Sequence, residues 1–438
     1  MNGPSRRDLI AGGLAALAGT ALGAAPALAE QRNGVSFLRG PYNLALFHRH
    51  NRAYRIGAGM HFFHSKQHDL LQLTPLADHA AVDRSFEAEA ARWLREPPRT
   101  EPKMEYYSSY VSRAMHTLFR AIDWTHMHHE QTYDVMAYRG IPWSEKKAWT
   151  DRTVRYYLTR QTTGLPRSVA PLDVTMRRAG LMMKPYFNFF RTFYPRDQSL
   201  FYVAHWWHPA LYEAQMIGGN EGQDATVPAV VDLMYRQVMA RRPQRMLLSR
   251  EIMPRYSRMS PESGNIFDNL HMLHGIAYSI LAYEGWTVRQ KRDEMYRVIR
   301  AMSYQPGDER LARKFSIPRQ NVDPRTYPGW MRSAEGEMSR IMQEMMQEMM
   351  PMMMPRASAA ERRAAMEQLM KIGRLGVERG EDPGSLHDAL MRIVPDMQVM
   401  QDATEPGATP EMMVRTMLRG WQSKYGGMRG VPGIDMTA

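Results

Sequence analysis

Four copies of one short pattern constrain this chain more than anything else in it: His61-Phe-Phe-His64, His126-Met-His-His129, His205-Trp-Trp-His208 and His271-Met-Leu-His274. They are its only His-x-x-His steps and hold eight of its fifteen histidines. Each is followed four residues on by another ring that can hydrogen-bond: His68, Tyr133, Tyr212 and Tyr278. His61 and His205 are 144 residues apart, His126 and His271 are 145. Repeats at one spacing point to a tandem duplication in which every half carries two histidine-bearing segments.

Other windows follow the same offset. Asp123, Ala137, Tyr138 and Gly140 meet Asp268, Ala282, Tyr283 and Gly285; Ser112-Arg113 meets Ser257-Arg258; Pro41-Tyr42 meets Pro185-Tyr186; Phe62-Phe63 meets Trp206-Trp207. The segments read as helices. Asp123 to Tyr138 contains no proline or glycine, and its apolar residues recur at three- and four-residue steps. Gly140 and Gly285 are stop signals, and Thr287 with Gln290 has the capping-box pattern that starts a helix. Strand signals are scarce. The expected class is therefore all-α: a duplicated helical bundle with pseudo-twofold symmetry, the four histidine helices at its centre and a Met-rich helical extension after it.

The chain's 438 residues suffice for two or three domains, and it has no cysteine. That excludes disulfides, iron–sulfur clusters, thiolate zinc sites and covalently attached c-type haem. Lys and Arg outnumber Asp and Glu by 57 to 45, but without a basic run or nucleic-acid motif, so no nucleic-acid partner is expected. Ser5-Arg6-Arg7-Asp8-Leu9-Ile10, an apolar Ala- and Gly-rich stretch, and Ala27-Leu28-Ala29 together resemble a twin-arginine export signal with its cleavage site. The resemblance covers about the first thirty residues. It implies the twin-arginine machinery as a partner, transport of an already folded chain, and a periplasmic location without stable membrane insertion after cleavage.

The expected organisation is a signal over 1–29, a first helical repeat over 30–175, a second over 176–310 and a Met-rich helical region over 311–438. The Pro-rich stretch Glu96 to Pro102 reads as a break between the two histidine helices of the first repeat.

On a helix, residues three apart share one face, with Cβ atoms about 5–6 Å apart. His61, His64, His126, His129, His205, His208, His271 and His274 are therefore candidate metal ligands. His68, Tyr133, Tyr212 and Tyr278 fall on the same faces as supporting groups or extra ligands. Asp123 and Asp268, three residues before a histidine, could accept the far N–H of that imidazole and fix its tautomer. A lone His-x-x-His is commonly surface or satisfied core; four in register across a repeat argue otherwise. The Glu-x-x-His signature of carboxylate-bridged di-iron bundles is absent, and neutral imidazoles suit copper, or zinc, better than a ferric pair. Type-3 copper proteins also surround two coppers with histidines from a helical bundle. The arrangement here is similar in outline but lacks their motifs, so the likeness is one of chemistry. The alternatives are bis-histidine haem b, iron, and a His₃ zinc site.

Methionine is the odd entry in the composition, at 38 residues. Met338, Met342, Met345 and Met349 form a helical stripe of thioethers, which select Cu(I) or make a pliable packing face. The reading is an exported periplasmic metalloprotein with a His-rich copper centre, dinuclear if the halves each hold an ion, working as a redox oxidoreductase. A copper store or delivery protein and a haem b electron carrier are the other classes, with a redox or copper-delivery partner in either case. No sequence pattern names a substrate.

Overall fold

The computed structural model describes residues 38–101, 104–159, 166–179, 186, 189–243, 246–314, 317–319, 321–331 and 358–364. The signal-like segment 1–29 and the stripe Met338, Met342, Met345 and Met349 lie outside the described residues. Within them the chain is predominantly helical, as expected; the β pairing among them is one isolated bridge, between Arg167 and Ser303. No helix among the described residues is long and apolar enough to cross a membrane.

The long helices are α1 (Asn51–Leu73), α2 (His79–Arg95), α3 (His116–Ala137), α4 (Lys146–Thr159), α5 (Pro195–Leu233), α6 (Pro261–Ala282) and α7 (Val288–Ala301). The four histidine pairs sit on α1, α3, α5 and α6. Helix α1 packs on both α5 and α6, and α3 packs on the same two, so each early helix is flanked by both later ones. Along α3 the histidines fall between Leu118–Ile122, part of one apolar cluster, and Tyr133–Ala137, part of another. Trp206 and Trp207, between the histidines of α5, are fully buried, and Phe63 nearly so. Tyr327 and Trp330, downstream of the bundle, lean edge-on against Trp206.

Local structure recurs at the spacing of the sequence matches. Helix α3 is reached in steps, Met104–Tyr107 and Ser109–Ala114, broken at Ser108 and Met115. Helix α6 is reached through Ser249–Ile252 and Pro254–Met259, broken at Met253 and Ser260. A carboxylate from a neighbouring helix holds the second step each time, satisfying N–H groups that a helix start leaves unpaired. Asp69 accepts from the amides of Tyr110 and Val111, and Glu213 from that of Arg255. Helices α3 and α6 end alike, with φ/ψ of −74°/113° at Tyr138 and −71°/115° at Tyr283. A Cβ at Gly140 would lie 2.5 Å from the Tyr138 ring, and one at Gly285 2.4 Å from that of Tyr283, so a larger residue at either stop would have to displace that ring. Thr287 and Gln290 form the capping box expected of α7.

Buried lysines seal the two ends. Lys146 donates to the carbonyls of Val135, Met136 and Tyr138, and Lys291 to that of Leu281. Burial pulls both ammonium groups down to about 8. Two tyrosines cross-tie the bundle reciprocally: Tyr133 on α3 donates to the carbonyl of His208 on α5, at 3.0 Å, and Tyr278 on α6 to that of His64 on α1, at 2.9 Å. Tyr133→Phe and Tyr278→Phe should each cost about 1 kcal/mol, the usual net worth of one buried hydrogen bond. Urea unfolding monitored by circular dichroism measures it; a loss at one position only would show that the two ties are not equivalent.

Candidate metal centre

Helical spacing places His61, His64 and His68 down one face of α1, and each of the other three pairs down one face of its own helix. Helix packing then brings these faces together. The His61 ring stacks on His126 with centroids 3.8 Å apart, and lies 5.7 Å from His208. His208 is 5.7 Å from His271, which is 4.6 Å from His205. His64 and His68 lie 5.1 and 5.0 Å from His274. His129 stands nearby, edge-on to Phe267 at 4.9 Å, while Phe267 also touches His205, His208 and His271. The eight candidate ligands and His68 thus line one buried region.

Several imidazole tautomers follow from the hydrogen bonds. A carbonyl oxygen only accepts, so a ring nitrogen bonded to one carries the proton. His208 donates from Nδ1 to Ala204 at 3.0 Å, His271 to Phe267 at 3.1 Å and His68 to Ser65 at 3.1 Å, each within its own helix. Their Nε2 atoms are left as lone pairs. The Nε2 of His68 lies 3.1 Å from that of His274. Nε2 of His64 and of His129 are buried without a hydrogen-bond partner.

Burial is the main force on the charges. It holds His61 and His68 down to about 4, His205 and His208 to about 3, and His64, His126, His129, His271 and His274 well below the ordinary value, with neighbouring imidazoles adding to the effect for most of them. All are neutral at pH 7, the form that binds metal. Burial raises the surrounding carboxyls instead: Glu101 upward, Asp123 and Glu130 well upward, Asp268 and Glu213 to about 7.

Two expectations change. Asp268 does not serve its own-helix neighbour His271, whose proton goes to the nearer carbonyl four residues back. Its carboxylate caps the start of Ser249–Ile252, accepting from the Ser249 amide at 3.0 Å and from its hydroxyl, and lies 3.6 Å from Nε2 of His205 on another helix. The charges that act on the Asp123 carboxyl come from Glu105, Glu130 and Arg120. The rings at the +4 positions also reach across the bundle. The Tyr133 and Tyr278 hydroxyls are committed to main-chain carbonyls, and that of Tyr212 bonds Thr132 and comes within 3.5 Å of Nδ1 of His129.

One residue is new. Glu101, in the stretch read as a break, folds its carboxylate onto Nδ1 of His61. Ligand atoms of His61, Glu101 and His126 all lie within 4.8 Å of one another. The Pro97 and Pro98 carbonyls anchor that loop by accepting from Arg55. No helical periodicity governs the loop, so spacing could not flag Glu101; a carboxylate between two rigid proline segments was the available hint. His128, inside a histidine motif, turns away and pairs with the Ser263 hydroxyl at 3.1 Å.

No family model, curated protein or solved structure matches this chain. The geometry alone therefore carries the functional argument.

The metal-free protein should be destabilised by acid. Each depressed imidazole stays neutral in the folded state while the unfolded chain takes up its proton below the ordinary 6.5, so stability falls as pH drops from 6.5 towards 4, at up to about 1.4 kcal/mol per pH unit per group. The raised carboxyls act oppositely: they are ionised in the unfolded chain above about 4 and stay protonated when folded, costing stability as pH rises to 7. Depressed histidines, with His50 and His128 added, outnumber raised carboxyls, to which Asp134 is added, so the acid side should dominate. Denaturant midpoints of chelator-treated protein between pH 4 and 7 test this; a midpoint constant or rising towards acid would refute it.

Proposed function

We propose that this chain is an exported, periplasmic copper protein in which a tandemly duplicated helical bundle gathers histidines around a pair of copper ions for redox catalysis. The observation that carries the metal reading is the close approach of two imidazole Nε2 atoms, of His68 and His274, in the buried interior. His68 has its proton on Nδ1, so its Nε2 meets that of His274, 3.1 Å away, with a lone pair. Two imidazole nitrogens bound to one ion at 2.0–2.1 Å sit about 3 Å apart, which fits. The Nε2 atoms of His64 and His129 are buried without a partner, and unsatisfied buried polar atoms are costly unless something meets them.

Copper suits this donor set because it is dominated by neutral imidazole. The stacking of His61 on His126 at 3.8 Å weighs against a porphyrin between those two rings, as bis-histidine haem b would need. The duplication is supported by the recurrence of the helix steps, end conformations, sealing lysines and tyrosine ties described above. Each half brings a histidine of its first motif against one of its second, His61 stacked on His126 at 3.8 Å and His205 edge-on to His271 at 4.6 Å. That likeness favours one ion per half and a coupled pair over many weak storage sites. Export through the twin-arginine route would deliver the folded, loaded protein to the periplasm, where redox or copper-delivery partners reside.

A second reading has its own observation. His61, His126 and Glu101 are two imidazoles and a carboxylate, the donor set of non-haem iron sites. Metal analysis with absorption and electron paramagnetic resonance spectra of the full chain purified from the periplasm separates the readings. Copper near two per chain is expected. Iron that is lost in Glu101→Gln would establish the second reading, a Soret band would establish haem, and a chain without metal would overturn both metal-ion readings. His129→Ala and His274→Ala should each lower copper content and the melting temperature, because an occupied site adds its binding energy to folding.

A further inference from the structure

The two ends of the histidine array are not chemically alike. At the α3 end the third group beside His61 and His126 is the Glu101 carboxylate, with Glu130 close behind it. The position 145 residues beyond Glu101 is Met246, and that beyond Glu130 is Gly275. Met246 and Gly275 both line a cavity of about 60 Å³ that reaches inward to His271. Met176 and Met272 line it too, with Gln198 and Phe201. Met272 is partly exposed while Met176, Met246 and His271 are buried, so the cavity leads from the solvent-touched surface to the end of the array. His271 contributes a usable donor there, since its proton is fixed on Nδ1. The space suffices for a small ion with a water or two.

The geometry points to a Cu(I) site at this mouth, held by the thioethers of Met176, Met246 and Met272 together with Nε2 of His271, through which the reduced ion reaches the histidines. Thioether sulfur is a soft, neutral donor that discriminates for Cu(I) over Cu(II) and over hard divalent ions. A monovalent ion also costs less than a divalent one to bring into a region whose lining holds no carboxylate and one guanidinium, that of Arg191. The carboxylate end has the opposite preference, so the array takes reduced copper at one end and favours a harder ion at the other. The inference rests on the copper reading for its physiological ion, but the site stands on its own residues.

The experiment uses the full chain labelled with ¹³C at methionine methyl groups and titrated with Ag(I), a redox-inert stand-in for Cu(I). The three methyl signals, assigned through Met176→Leu, Met246→Leu and Met272→Leu, should shift together over one equivalent. Leucine conserves volume, and Met272 is partly exposed, so Met272→Leu keeps a folded test available. In Met272→Leu the Ag(I) and Cu(I) affinities of this site, measured against a chromogenic chelator, should fall at least tenfold, with Cu(II) binding unchanged. Glu101→Gln should leave the Ag(I) response intact. Absence of coupled shifts at these methionines, or unchanged Cu(I) affinity in folded Met272→Leu, overturns the proposal. Coupled shifts in a chain that proves to hold no copper in its histidine array would sink the copper-centre reading while leaving this soft-ion site in place.

Discussion

Imidazole burial is the constraint on which the rest of the molecule depends. A histidine taken out of water has two nitrogens to satisfy, one donor and one acceptor. His68, His208 and His271 resolve the donor half locally, giving Nδ1–H to a carbonyl three or four residues back on the same helix. This fixes the tautomer, clamps the ring against its own helix and leaves the other nitrogen facing the neighbouring helices. Nine such rings in one low-dielectric region cannot be protonated together, because each imidazolium would repel the next and lose its hydration. The interior is therefore a set of neutral donors pointed at each other, stable only in a bundle rigid enough to keep them there.

The scaffold supplies that rigidity at helix ends. Carboxylates from adjacent helices meet the unpaired amides of helix starts: Asp69 and Glu213 as above, and Asp134 on the amides of Leu44 and Leu46 at 2.7 and 2.8 Å. Lysines meet the unpaired carbonyls of helix ends. The tyrosine ties then fix how far α3 and α6 can slide past their partners, and with them the height at which the histidines meet. Long-range polar bonds set the register; the apolar clusters on either side supply most of the burial.

The legible part of this structure is what helical periodicity governs. A three-residue histidine step means one helix face wherever the helix forms, so the four faces and their helices could be read from spacing alone. The choice of partner could not. Asp268 sits three residues before His271 but serves Ser249 and His205, because crossing helices decide which groups a side chain can reach. Tyr133 and Tyr278 share the histidine faces, but their long side chains carry the hydroxyl to the main chain of the opposite helix, at His208 and His64. Glu101 was invisible because a loop imposes no periodicity, and the thioether cavity because Met176, Met246 and Met272 are scattered over the sequence and meet only in three dimensions.

The neutrality of the array has a consequence for electroneutrality when a cation enters. Nine uncharged rings bring no counter-charge, so a divalent ion would place two positive charges in a region whose balancing groups are Glu101, Glu130 and Asp268. Burial keeps the last of these at about 7 and raises the other two, so the carboxylate form of each is disfavoured. An ion beside them reverses that balance, favouring the carboxylate form by direct attraction. Loading would then expel protons from carboxyl groups. The protein would exchange protons for metal charge through its acids, since its imidazoles are already neutral.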